Sequence, residues 1–299
     1  NETNIGDLAD TQVAAFNATQ IALLSTTNLS ALNSTQVAAL TTTQIGAIKT
    51  TQLSALSTTN LSELDATQFG ALSTTQVRAL TTAQIGNLTA TDVADFTTTQ
   101  VAAFSTTQLS ALSTTNLVAF ADTQIAALTA TQVGALSTTQ IANLETANVA
   151  ALTTTQIGAL SGTQLARLST DGLSALDATQ VAALSATQAR ALTTTQLNAL
   201  TSTDIGELST TQITGLSTNQ IRGLSAARVG DLLDTQVAAL STAQVQALTT
   251  TNLVALADTQ IAALTTTQVS ALTRTQIGAL ETTNVTALSE TQIGALTAT

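Results

Sequence analysis

The sequence predicts an all-α fold: a solenoid, or superhelix, of very short capped helices, one per eight-residue repeat. Three observations carry that reading. Cut from Asn1, the 299 residues fall into 37 octads ending at Leu296, with Thr297-Ala298-Thr299 opening another, and the register never slips. Positions one and four of the octad pair a hydroxyl with a Gln at the S/T-x-x-E/Q spacing of a capping box. Positions five and eight are apolar and three apart, so they share a face within a helical turn.

Each position has its own logic. Position one is Ser, Thr, Asn or Asp in 30 of 37 octads. These are the N-cap types, whose side-chain oxygen accepts from a free backbone amide of the first turn. It departs from that set at Ala9, Ala121, Leu233 and Ala257, each followed by an Asp (Asp10, Asp122, Asp234, Asp258). That pattern predicts a cap moved along by one residue. Lys49, Glu145 and Glu281 lack this rescue. Position three is Thr in 31 octads. Position four is Gln in 26, Asn in 7 and Asp in 2, with Gly172 and Arg228 filling the remainder. A Gln column serves either as a capping column or as a hydrogen-bonded ladder, and the spacing favours capping. Position five is Ile, Val, Leu or Phe except at Ala189, and position eight is always Leu, Ile or Phe. The position-eight residue precedes the next cap and pairs with the following position five as a hydrophobic staple. Positions six and seven are mostly small, yet admit Arg78, Arg167, Arg190, Arg222, Glu63, Asp95 and Asp231, so they face water.

Other folds fit less well. In one continuous helix the apolar stripe would drift by about 80° per octad, and a coiled coil needs a repeat near 3.5 residues. The alternative is a β-solenoid, favoured by Thr and β-branched content. Against it, positions five and eight have opposite parity and would lie on opposite faces of a strand. Its turns would also want Gly, Asn, Asp or Pro, and this chain has no Pro and 14 Gly. A helix of about six residues is marginal alone, so the octads must stack. The expected organisation is one continuous array over residues 1–299, a segment of a longer chain or filament. Asn1–Leu8 and Ser289–Leu296 are ordinary octads, whereas solenoid ends usually carry polar caps. Position-four Asn recurs four octads on in the pairs Asn28/Asn60, Asn116/Asn148 and Asn252/Asn284. This hints at four octads per turn, or equally at internal duplication.

With 44% hydrophobic and 8% charged residues, the chain is not a charged disordered segment. The 18 acidic and 7 basic residues give a net charge of -11, which disfavours nucleic-acid binding. No apolar run reaches the roughly eighteen residues of a membrane span. There is no His, Cys, Tyr, Trp or Met, which removes His-based triads, Cys nucleophiles and common zinc sites. The acids stand in non-equivalent octads and read as solvated surface. No residue is therefore nominated as catalytic, cofactor-binding or metal-ligating; no cofactor and no enzyme activity are expected. Triplets such as Asn17-Ala18-Thr19 read as repeat wording rather than glycosylation sites.

The motif Ser/Thr-Thr-Thr-Gln-Ile/Val/Leu-x-Ala-Leu, as in Leu152–Leu160 (LTTTQIGAL), resembles octapeptide-repeat tracts of very large bacterial secreted or surface proteins described as adhesin-like. It also resembles the helix opening L-T-P-E-Q-I-x-x-L, with Thr here where Pro and Glu stand. The first resemblance spans all 37 octads and carries over no functional residue. It implies a structural, extracellular or cell-surface role. The expectation is thus a non-catalytic filament or adhesin-stalk segment, self-associating end to end or laterally. The alternative is a solenoid scaffold for glycan, protein or ice.

Overall fold

The structure is a computed structural model that describes residues 5–296; Asn1–Asn4 and Thr297–Thr299 lie outside the described residues. From Asp10–Ala14 to Glu290–Ala295 every octad forms one α-helix of four to six residues, and no strand occurs among the described residues. The β-solenoid is thereby excluded. Octad 20, residues 153–160, shows why eight residues suffice. The Thr153 Oγ1 accepts from the Gln156 amide at 3.3 Å, and the Thr153 amide donates to Gln156 Oε1 at 2.6 Å. The Ile157 amide donates to the Thr153 carbonyl at 2.9 Å, and Leu160 closes the helix by donating to the Ile157 carbonyl at 3.1 Å.

The bend between helices needs no special residue. Leu160 at the C-cap has φ -67 and ψ 131, and the next N-cap, Ser161, has φ -69 and ψ 157. Two extended residues with negative φ are open to any side chain. No described residue has positive φ, which explains a chain of bends built without Pro and with few Gly.

The caps differ from expectation at four places. Ala9, Ala121, Leu233 and Ala257 remain the N-caps, with no side-chain cap bond, and the following Asp is the first helical residue. The cap does not move. Each of these residues still donates its amide to the Gln Oε1 three positions on, at 2.7–2.9 Å. The Asp instead places a negative charge in the first turn, where the helix dipole favours it.

The chain forms two compact units, Asn1–Leu152 and Thr153–Thr299, and within each the octads stack the same way. A helix packs against the third helix along, as Ala18–Leu23 does against Thr42–Ala47 and Ala186–Ala191 against Thr210–Gly215. Side-chain hydrogen bonds reach back to the fourth. One turn therefore takes between three and four octads rather than four. Hydrogen bonds between turns recur at separations of 25, 28 and 31 residues, centred on three and a half octads. Positions five and eight fill the interior: Ile157 is 0% and Leu160 3% exposed. In the first unit, Phe96 packs edge-on against Phe69 and Phe104 at 5.0 and 5.1 Å. Ala189 is as buried as the larger residues that share its position.

Candidate interaction surface

The position-four Gln column caps, as its spacing favours, and also hydrogen-bonds to the backbone of the turn behind. Its Oε1 completes the cap of its own helix, and its Nε2 donates to carbonyls one turn back. Gln188 Nε2 lies 2.9 Å from both the Ile157 and the Leu160 carbonyl oxygens. Gln196 repeats this on Leu165 and Leu168 at 2.8 and 2.9 Å, and Gln100 on Phe69 and Leu72 at 2.7 Å each. A buried carbonyl needs a donor, and the helix ends at position eight leave one over. The primary amide supplies it while its oxygen faces the cap. A sign of this second role was available in the sequence. Position four stays Gln at Gln52, Gln124, Gln236 and Gln260, where position one is Lys, Ala or Leu and offers no hydroxyl.

Substitutes in the column do part of the work. Asn60 Nδ2 reaches the Leu32 carbonyl at 2.8 Å, and Asn252 the Leu224 carbonyl at 2.9 Å. Arg228 donates through NH1 to the Leu200 carbonyl. Asp92 and Asp204, each 6% exposed, accept from their cap amides at 2.7 and 2.8 Å. Asp has no side-chain N–H to give the carbonyls behind it.

The stacking distance exposes an order in the charges that the octad register hides. Counted in blocks of 28 from Asn1, all 18 Asp and Glu fall at places 1–11. Six of the seven basic residues, Lys49, Arg78, Arg167, Arg190, Arg222 and Arg274, fall at places 21–27. Because residues 28 apart lie one turn apart in each unit, each unit carries an acidic band along one side and its basic residues on another. Most of the described acids are exposed, as expected of solvated surface, but they are gathered on one side of the turn. Asp65 and Asp92, at neighbouring places of successive blocks, both act on Asp95. Burial first, then those two carboxylates, push the Asp95 pKa up from the ordinary Asp value. The trio recurs in the second unit as Asp177, Asp204 and Glu207, each at the same place four blocks later. Arg228, the basic residue inside the acidic band, is paired with Asp231 at 3.2 Å.

Other surface features are modest. In the second unit an open cleft of about 460 Å³ is lined by Leu232, Leu233, Asp234, Ala257, Thr259 and Gln260. Leu233 stands 51% exposed beside it. Among the described residues no three His, Cys, Asp or Glu side chains come together as a metal-ligand set. No described helix is long and apolar enough to cross a membrane.

One repeated core, one amide column and a sided surface define a solenoid of tandem octapeptide repeats. The chain belongs to the ALTTAQ repeat family, whose model matches residues 13–50, 45–82, 61–98, 101–138, 131–162, 138–170 and 237–274, together more than half of the chain. No curated protein matches it.

Proposed function

We propose that this chain is a non-catalytic structural protein: an extracellular filament or adhesin-stalk segment of a bacterial cell surface that associates with its own copies end to end or laterally. The observation that carries this reading is the amide column. Within each unit, most octads are joined to the turn behind by the same buried hydrogen bonds, as at Gln100, Gln188 and Gln196. Adding an octad therefore extends the same contacts, as repeat arrays do, and no octad is singled out for chemistry. No cofactor takes part in this role. Electron microscopy of the purified chain at rising concentration tests it. Filaments or ordered bundles are expected; dispersed single particles at every concentration would count against it. Labelling of intact cells with an antibody to the repeat tests the location.

A second reading, a scaffold for glycan, protein or ice, draws on the cleft beside Leu233 and the rows of exposed Thr at helix starts. Glycan-array binding and thermal hysteresis test it, and inactivity in both removes its support.

A further inference from the structure

We infer that the basic line of the second unit docks on the acidic band of a second copy of this chain, so that copies associate side by side through opposite charges. The inference rests on the self-associating reading and names the surface. Arg167, Arg190 and Arg222 are exposed at places 27, 22 and 26 of successive 28-residue blocks. The same unit carries acids at one or two places per block, among them exposed Asp234, Asp258 and Glu290. Both series ride on one 28-residue turn, so their axial spacing is shared by construction. A basic row on one copy can meet carboxylates of another at three successive turns without adjustment of either.

A single exposed ion pair is weak, but a row with a common period adds its members in one register. The net charge of -11 sharpens the choice. Acidic band against acidic band repels, so the approach that places the Arg line on the band is favoured over others. The two patches lie on different sides of the unit, so the contact is heterologous. Such a contact repeats from copy to copy instead of closing on a pair. Arg228 does not join the row because Asp231 of its own helix turn already holds it.

The test is sedimentation velocity on the full chain at about 20 mM and about 500 mM salt, which differ several-fold in Debye length. Wild type is expected to form faster-sedimenting species at low salt that dissociate at high salt. The triple variant Arg167→Glu, Arg190→Glu, Arg222→Glu should keep its helical circular dichroism, since all three are exposed. Its apparent dissociation constant should rise at least tenfold. Mixing it with Asp234→Lys, Asp258→Lys, Glu290→Lys should bring association back. Wild type that stays monomeric at low salt, or association indifferent to salt and to the triple variant, would overturn the inference. Electron microscopy of the same samples keeps the two questions apart. Single unbundled filaments in wild type would sink lateral docking and leave the structural reading standing, while dispersed particles would sink both.

Discussion

Octads 25 and 26, Thr193–Leu200 and Thr201–Leu208, follow one another in the chain and share a fold, yet differ at position four. Gln196 accepts the Thr193 amide at 2.9 Å and gives its own amide hydrogens to Leu165 and Leu168. Asp204 accepts the Thr201 amide at 2.8 Å and has no amide to give to Leu173 and Leu176. The first octad is tied to the turn behind it by hydrogen bonds and packing, the second by packing alone. Both helices form, and Ile205 is 2% exposed against 0% for Leu197. The apolar stripe therefore sets the fold, and the amide column adds a polar tie that single octads can lack. Both Asp substitutes, Asp92 and Asp204, stand at place 8 of a 28-residue block, inside the acidic band.

Breaking the complete case should give the largest effect. Gln196→Leu leaves the Thr193 amide without its acceptor and the Leu168 carbonyl without its donor. Stranded buried groups of this kind cost about 1–3 kcal/mol each, and the expected loss is about 2–4 kcal/mol by denaturant titration. Amide exchange should loosen first in octads 21 and 25. A loss under about 0.5 kcal/mol, the scale of ordinary surface substitutions, would mean the column is ornamental.

Completing the open case should help. Asp204→Asn supplies an Nδ2 of the kind that reaches Leu224 from Asn252 at 2.9 Å. The expected gain is about 1 kcal/mol at neutral pH, the net worth of one intramolecular hydrogen bond. The equivalent cluster of acids in the first unit has a pH signature. Burial, Asp92 and Asp65 raise the Asp95 pKa, so folding favours its protonated form. Stability from this group is present below the ordinary Asp pKa and is lost as pH rises through the raised value. Asp95→Asn should therefore raise Tm at pH 7, and that advantage should vanish near about pH 3, where the carboxyl is protonated in both states. An equal shift at both pH values would remove the charge explanation.

The helices, caps and inner face were legible because each is a local rule repeated 37 times. A hydroxyl three residues before a Gln and two apolar residues three apart determine a capped turn without reference to the rest of the chain. The turn length was not legible in octads, because a turn takes between three and four of them rather than a whole number. The recurring Asn pairs, such as Asn28 and Asn60, hinted at four octads per turn or at duplication, whereas the hydrogen bonds between turns span 25 to 31 residues. The charged sides were hidden for the same reason. Asp177 at position one, Asp204 at position four and Asp234 at position two look unrelated by octad, yet stand at places 9, 8 and 10 of their blocks. Once the stacking distance is known, the order can be read from the sequence by counting.

The smallest effects concern the caps, where the Asp that follows an apolar N-cap does not take over the cap. In octad 20, Thr153→Ala removes the oxygen that accepts from the Gln156 amide at 3.3 Å, while the Gln half of the box remains. Losing a Thr cap costs about 0.5–2 kcal/mol. The length of this bond and the surviving Gln contact place the expected loss near the lower bound. Adding Thr154→Asp recreates the Ala121-Asp122 arrangement. There the carboxylate sits at the first helical position and acts through the charge of the helix start, worth about 0.3–1 kcal/mol and weakened by salt. The double variant should therefore recover part of the loss at low salt and less of it at about 1 M salt, where the Debye length is about 3 Å. A true replacement cap would recover stability in both conditions, because a directed hydrogen bond is far less screened. Recovery that ignores salt would accordingly restore the moved-cap interpretation, and salt-sensitive recovery would establish that these octads are stabilised by charge in the first turn.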